Sequence, residues 1–193
     1  WDVIHFNWGI HDLTHLGPDG KAAPPPAGSH QVSLKTYRAN LGKLLARLKQ
    51  TGARLVWAAT TPVGSKAEKL GFRRDRDVVA YNSAALKAVQ SRRIAINDFY
   101  ELVKPQAESL FPDGVHPNSK GSRILAKAVA STISDQLLEA QGVRESGRVL
   151  ISNIGSERAS QGNGNKIVTL GDKTHIVWQD SIDEGYFARV RTL

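Results

Sequence analysis

An aspartate and a histidine three residues apart, Asp113 and His116, lie in the stretch Phe111-Pro-Asp-Gly-Val-His-Pro-Asn118, the part of this sequence best suited to acid–base chemistry. On one loop such a pair can hydrogen-bond. The carboxylate holds one imidazole nitrogen, stabilises the imidazolium that forms, and leaves the other nitrogen to a reacting group. Gly114 frees the loop to turn tightly, and Pro117 fixes the exit into a helix. Asp-x-x-His by itself is common, and the competing reading is an Asp113 that caps a turn beside a surface histidine. Asp-Gly-x-His-Pro followed by Gly121 and an Ala-rich helix is much rarer, which favours the chemical reading.

The elements that must position this pair follow from hydropathy. Asp2–Asn7 is a short apolar run read as a buried strand, ending at Gly9. Gly17–Gly20 is turn material, and Pro24-Pro-Pro26 is expected to be a stiff extended piece. From Leu34 to Gln50 the apolar residues Leu34, Tyr37, Leu41, Leu44, Leu45 and Leu48 recur at three- and four-residue spacings, which predicts an amphipathic helix. Ser33 is placed to cap its start and Gly52 its end. Ala53–Thr60 reads as a strand stopped by Pro62. Asp75–Val89 reads as a second helix, Ile94–Ile96 as a strand, Phe99–Lys104 as a short helix, and Ser119–Leu138 as a final helix. Strand–helix alternation predicts a three-layer α/β fold, a parallel sheet with flanking helices. In such sheets functional residues gather at the carboxyl ends of the strands, where Asn7 to Asp12, Thr60-Thr61 and Asn97-Asp98 fall.

The pattern changes near Gly142. Arg148–Ser152, Lys166–Leu170, His175–Gln179 and Tyr186–Arg191 read as four short strands separated by turn residues. The expected organisation is an α/β domain over 1–142 and a small antiparallel β segment over 147–193, about the size of one propeller blade.

At this point the resemblance to a family enters. Asp113-x-x-His116 resembles block V of the SGNH (GDSL-like) hydrolases, which supplies the last two members of a Ser-Asp-His triad. Gly9-Ile-His-Asp12 resembles their block III, Gly-x-Asn-Asp, with His11 where the family has the asparagine that donates to the oxyanion. His11 still carries an N–H donor, and Asn7 is the other candidate beside Gly9. The resemblance implies an ester hydrolase, on a carbohydrate or other ester substrate, with Asp113 and His116 catalytic. It implies a nucleophilic serine upstream of Trp1, since no Gly-Asp-Ser occurs in the chain and Ser29, Ser65 and Ser83 sit in no strand-to-helix elbow. The fragment is then expected to be inactive by itself. Residues from about Gly147 resemble the opening of a sialidase-like (BNR-type) β-propeller, through Lys173–Asp180 and Gly185–Arg191. A non-catalytic glycan-binding protein with a degenerate SGNH domain is the alternative.

Composition bounds the remaining classes. The 193 residues include no cysteine and no methionine. Thiolate metal sites and a cysteine nucleophile are thereby excluded within them. His5, His15 and His30 show no metal-ligand spacing with an acid, so no metal and no cofactor is expected, and His5 reads as a packed core histidine. Net charge is +8 and the pI about 9.9. No acid lies between Asp19 and Glu68, a stretch bearing Lys35, Arg38, Lys43, Arg47 and Lys49 along one predicted helix. Without interleaved aromatics this is a solvated helix face rather than a nucleic-acid platform, and no nucleic-acid partner is expected. No apolar run approaches the ~20 residues of a membrane span. Both ends are expected to be cuts in a longer protein; the missing signal peptide is uninformative, and the resemblance implies a secreted or periplasmic location.

Overall fold

The chain opens on β1 (Val3–Phe6), whose Phe6 is buried, and then leaves the sheet for a hairpin of β2 (His15–Leu16) and β3 (Ser29–His30). This is a computed structural model. It describes residues 1–140 and, beyond them, residues 166–170, 173–182 and 185–192. The chain divides into two units, 1–137 and 138–193.

Helix α1 (Leu34–Lys49) starts where expected, because the Ser33 side chain accepts the Thr36 N–H. Its inner face is Tyr37, Leu41 and Leu45, while Leu44 sits at the margin, 40% exposed. Each fully buried leucine contributes about 1.5–3 kcal/mol. Lys35, Arg38, Lys43, Arg47 and Lys49 are all exposed, as a solvated face requires. The chain then enters β4 (Arg54–Ala58), whose Leu55 to Ala58 are buried. α2 (Ser65–Glu68), one turn long, precedes α3 (Asp75–Gln90), which buries Val78, Tyr81, Ala85 and Val89. Next come β5 (Ala95–Asn97), α4 (Phe99–Val103), a 3₁₀ turn at Lys104–Gln106, α5 (Ala107–Leu110) and α6 (Ser119–Ala140).

The sheet order is β1-β4-β5, all parallel, with Phe6 opposite Trp57 and Ala58 opposite Asn97. This is the expected α/β architecture, a parallel sheet with flanking helices. The main core joins the sheet to α1 and α3, whose Tyr37 and Tyr81 rings pack 4.9 Å apart. A smaller cluster of Val103, Leu110 and Phe111 packs against Ile124 and Leu125 of α6. It anchors the loop that carries Asp113 and His116. Among the described residues, no helix is long and apolar enough to cross a membrane.

One expectation is corrected. The run Pro24–Pro26 is not an extended piece: residues 25–27 form a turn, closed by Gly28 N–H donating to Pro24 O at 3.0 Å. Prolines fix φ but leave ψ free, and the closing hydrogen bond decides the direction. The helices α2 and α5 were also not read from the sequence, since a single turn shows no periodicity.

In the second unit, β6 (Lys166–Leu170), β7 (Lys173–Ile182) and β8 (Gly185–Thr192) form an antiparallel sheet in that order. β7 and β8 extend beyond the runs His175–Gln179 and Tyr186–Arg191. The fourth strand candidate, Arg148–Ser152, lies outside the described residues.

Candidate active site

The Asp113 loop is built locally. Phe111 N–H donates to Ala107 O, and Gly114 N–H returns to Phe111 O at 2.8 Å, closing a turn over the buried Phe111. Asn118 ends the loop and caps α6, its Oδ1 accepting the Gly121 N–H at 2.9 Å. Within the turn the Asp113 carboxylate is divided between two tasks. Oδ1 accepts the backbone N–H groups of Val115 and His116, at 2.8 and 2.7 Å. Oδ2 lies 2.7 Å from Nδ1 of His116. Hydrogen bonds from the His116 backbone and ring, then from Val115, hold the Asp113 carboxyl well below the usual carboxylate range. An ionised Asp113 fixes the tautomer with the proton on Nδ1 and leaves Nε2 as the basic nitrogen. The His116 side chain is 79% exposed, so Nε2 is accessible to a reacting group.

The loop is seated on the segment after β4. Gly64 N–H donates to Gly114 O at 2.8 Å, and Lys66 Nζ donates to Pro112 O at 3.3 Å. Glu108 receives both the N–H and the hydroxyl of Ser65, at 2.8 Å each. These bonds lower the Glu108 carboxyl. Gly114 has φ +86°, and a Cβ there would lie 2.6 Å from Ala67 N, so both its conformation and its surroundings require glycine.

The same segment reaches the end of β1. Asn7 Nδ2 donates to Ala58 O at 2.7 Å and to Thr60 Oγ1 at 3.1 Å. Gly9 packs so closely on Thr60 that a Cβ would lie 2.5 Å from Oγ1. Thr60 is itself clamped by Asn82, whose Oδ1 accepts the Thr60 N–H and whose Nδ2 donates to Thr60 O, at 2.9 and 2.8 Å. Val63 N–H donates to Asp75 Oδ1, and Tyr100 donates to Asp75 Oδ2 at 2.6 Å, so burial and Asp75 push the Tyr100 phenol up. One segment, 60–64, therefore carries Asn7 and Gly9 on one side and the Asp113–His116 loop on the other. His11 lies exposed on the turn that follows β1, where Leu13 N–H donates to Gly9 O. Burial raises the neighbouring Asp12 carboxyl, against the pull of His11. His5 packs in β1, its Nε2 3.4 Å from Asn97 Nδ2, and burial lowers its pKa.

Asn82 makes helix-to-loop hydrogen bonds, the role that its place within a helix suggests over substrate contact, whereas the positioning roles of Thr60 and Gly64 are not legible in the sequence. Their partners are 22 to 53 residues away, and no spacing rule links them. The same holds for His15, His30 and Asp77, which converge with ligand atoms within 4.8 Å of one another although their sequence spacing shows no metal pattern. A groove of about 220 Å³ between α3 and α4 is lined by Trp57, Asn82, Asp98 and Tyr100 among others, but by neither Asp113 nor His116.

A parallel α/β sheet bearing a hydrogen-bonded Asp–His pair on a loop seated at the carboxyl end of a central strand is a hydrolase-type arrangement. Residues 1–124 match the model of the GDSL-like Lipase/Acylhydrolase family, and the chain belongs to that family. No curated protein matches it in sequence. Solved structures share the fold. A lipase/acylhydrolase from Enterococcus faecalis superposes with a TM-score of 0.55 at 14% identity, over 70% of this chain and 62% of that one. The acetyl xylan esterase AlAXEase gives 0.54 at 16%, over 68% and 67%. An acetylxylan esterase from Geobacillus stearothermophilus gives 0.52 at 22%, over 68% and 59%. The chain thus spans about three fifths to two thirds of the length of these proteins.

Proposed function

We propose that this chain supplies the acid–base half of a serine ester-hydrolase site, with Asp113 and His116 as catalytic residues. The observation that carries the reading is the 2.7 Å bond from His116 Nδ1 to a carboxylate already fixed by two backbone N–H groups. That arrangement orients the imidazole, holds its tautomer and leaves Nε2 basic.

In the proposed reaction a serine hydroxyl attacks the ester carbonyl while Nε2 of His116 takes its proton. The imidazolium, stabilised by Asp113, then protonates the departing alcohol. Water, deprotonated by the same nitrogen, attacks the acyl-enzyme, and the proton returns to the serine as the carboxylic acid leaves. The serine is not assigned within residues 1–193, and we place it upstream of Trp1. Negative charge on the tetrahedral oxygen is met by the Gly9 N–H and a side-chain donor. Both amide hydrogens of Asn7 are engaged with Ala58 and Thr60, so His11 is the side-chain donor of this proposal. The substrate class, an acetyl ester on a carbohydrate, is carried over from the acetylxylan esterases of the same fold. We read β6–β8 as part of a sialidase-like propeller that holds the glycan, because antiparallel meanders are the units of propeller blades.

The test is hydrolysis of p-nitrophenyl acetate and of acetylated xylo-oligosaccharide by the full-length gene product. His116→Ala is expected to lower kcat by about 10³-fold or more. Undiminished hydrolysis in His116→Ala would exclude the role given to this residue. Deleting residues from 147 onward is expected to spare the small ester and weaken binding to polymeric glycan; unchanged glycan binding would remove the propeller from the proposal.

A further inference from the structure

The β2–β3 hairpin sets His15 directly opposite His30, with ring centroids 4.1 Å apart. The first turn of α3 brings Asp77 to the same place. Its Oδ2 lies 3.4 Å from His30 Nε2 and 4.0 Å from His15 Nδ1. His30 Nε2 and Asp77 Oδ2 are buried atoms with no hydrogen-bond partner, since their mutual approach lacks the alignment of a hydrogen bond. Two buried polar atoms 3.4 Å apart with no hydrogen bond are costly, and a cation held by both would remove the cost.

We propose that His15, His30 and Asp77 form a metal site for Zn²⁺ or a divalent transition metal of similar preference, bound through His15 Nδ1, His30 Nε2 and Asp77 Oδ2.

The donor set fits. Two imidazoles and one carboxylate suit this class of ion, with water completing a tetrahedron. An ion about 2.0–2.1 Å from each ligand keeps tetrahedral ligands roughly 3.3 Å apart. The His30–Asp77 pair, at 3.4 Å, already stands near that spacing. The three ligand atoms lie within 4.8 Å of one another, so His15, 4.0 Å from Asp77, must close by up to about 1.5 Å. Its Nδ1 now lies 3.3 Å from Phe72 O; binding gives up that contact and leaves the ring proton on Nε2. The charges around the cluster have both signs. Arg74 opposes a cation, while the Asp12 carboxylate acts together with Asp77 on Tyr81, whose ring stands edge-on to His30 at 5.5 Å. The role is structural. The ion pins the hairpin to α3, and the hairpin is tied to the turn carrying Gly9 and His11 by Val32 N–H donating to Asp12 O.

The full chain, stripped with a chelator, is titrated with Zn²⁺ by calorimetry and with Co²⁺ by visible absorption. One equivalent is expected to bind, with the intense bands of four-coordinate Co²⁺. At a hundredfold excess over Kd, Zn²⁺ should raise the melting midpoint by about 5–10 °C. His15→Gln and Asp77→Asn are each expected to weaken binding by about a hundredfold or more, beyond the loss typical of outer-shell partners. His11→Ala, which removes an exposed histidine, leaves binding unchanged. Absence of binding, a weak six-coordinate Co²⁺ spectrum in the unaltered chain, or affinity that survives both ligand variants would each overturn the site. The Co²⁺ spectrum of the unaltered chain decides the matter even if a variant fails to fold.

Discussion

Gly114→Ala tests the seat of the Asp113–His116 loop. At φ +86° any L residue other than glycine costs about 1–2 kcal/mol. The new methyl would also stand 2.6 Å from Ala67 N, 2.7 Å from Ala67 Cβ and 3.0 Å from Gly64 O. Backbone on both sides leaves little room to give, and overpacking of this kind costs about 1–3 kcal/mol more. The total expected is about 2–5 kcal/mol. Gly20→Ala is the matched control: its φ is +75°, but nothing lies within 4 Å of the new Cβ. It should cost only the conformational part, about 1–2 kcal/mol. The difference between the two variants isolates the close approach. It is read by amide hydrogen exchange in the core of β4, which reports opening of the first unit without requiring the second to unfold with it. A further loss of about 1–3 kcal/mol corresponds to roughly 5- to 150-fold faster exchange in Gly114→Ala than in Gly20→Ala. Equal exchange rates would refute the argument, because the loop would then not be pinned on Gly64 and Ala67.

Two further outcomes follow. His11→Ala is expected to lower kcat for ester hydrolysis by about 10²-fold with little change in KM, whereas Asn7→Ala is expected to act through stability, by about 1–2 kcal/mol, since its amide joins β1 to β4; steady-state kinetics beside urea unfolding separates the two, and the reverse pattern would move the donor to Asn7. The Asp113 carboxyl is lowered in the folded protein, so its contribution to loop stability is present above the ordinary carboxylate value and is lost only as pH falls through the lowered one. Amide protection at Val115 and His116 should therefore persist at about pH 4 and fail only in stronger acid; loss of protection near pH 4 would show that the two backbone bonds do not hold an ionised carboxylate.

Much of the fold was legible because its long elements are periodic. α1 and α3 announce themselves through buried residues at helical spacing, and Ser33 marks the start of α1 by a local side-chain bond. The parallel sheet follows from alternation of strands with those helices. The elements that escaped are the short ones. Two-residue strands such as His15–Leu16 and Ser29–His30 have no measurable period, and their pairing is set by the loop between them. That pairing places His15 opposite His30, fifteen positions further along the chain, and brings both to Asp77. A search for metal ligands by spacing along the chain has no means of finding it.

The candidate site divides along the same line. Asp113 and His116 are neighbours in sequence, so their hydrogen bond needs only a tight turn, and the turn residue Gly114 is visible between them. The position of Asn7 is different. It depends on the register of two strands separated by a whole helix: Phe6 stands opposite Trp57, so Asn7 comes beside Ala58 and donates to its carbonyl oxygen. A slip in that register would carry Asn7 away from Thr60 and uncouple it from the Asp113 loop. Asn82 guards against such a slip by holding both the N–H and the carbonyl of Thr60 from the adjacent helix. The polar residues between the strand ends and the Asp–His loop are thus spent on fixing where the backbone of 60–64 runs. This explains why Thr60 is buried at 4% exposure while His116 remains open. Part-buried hydrogen bonds set the frame, and the ring proposed as the base is left exposed.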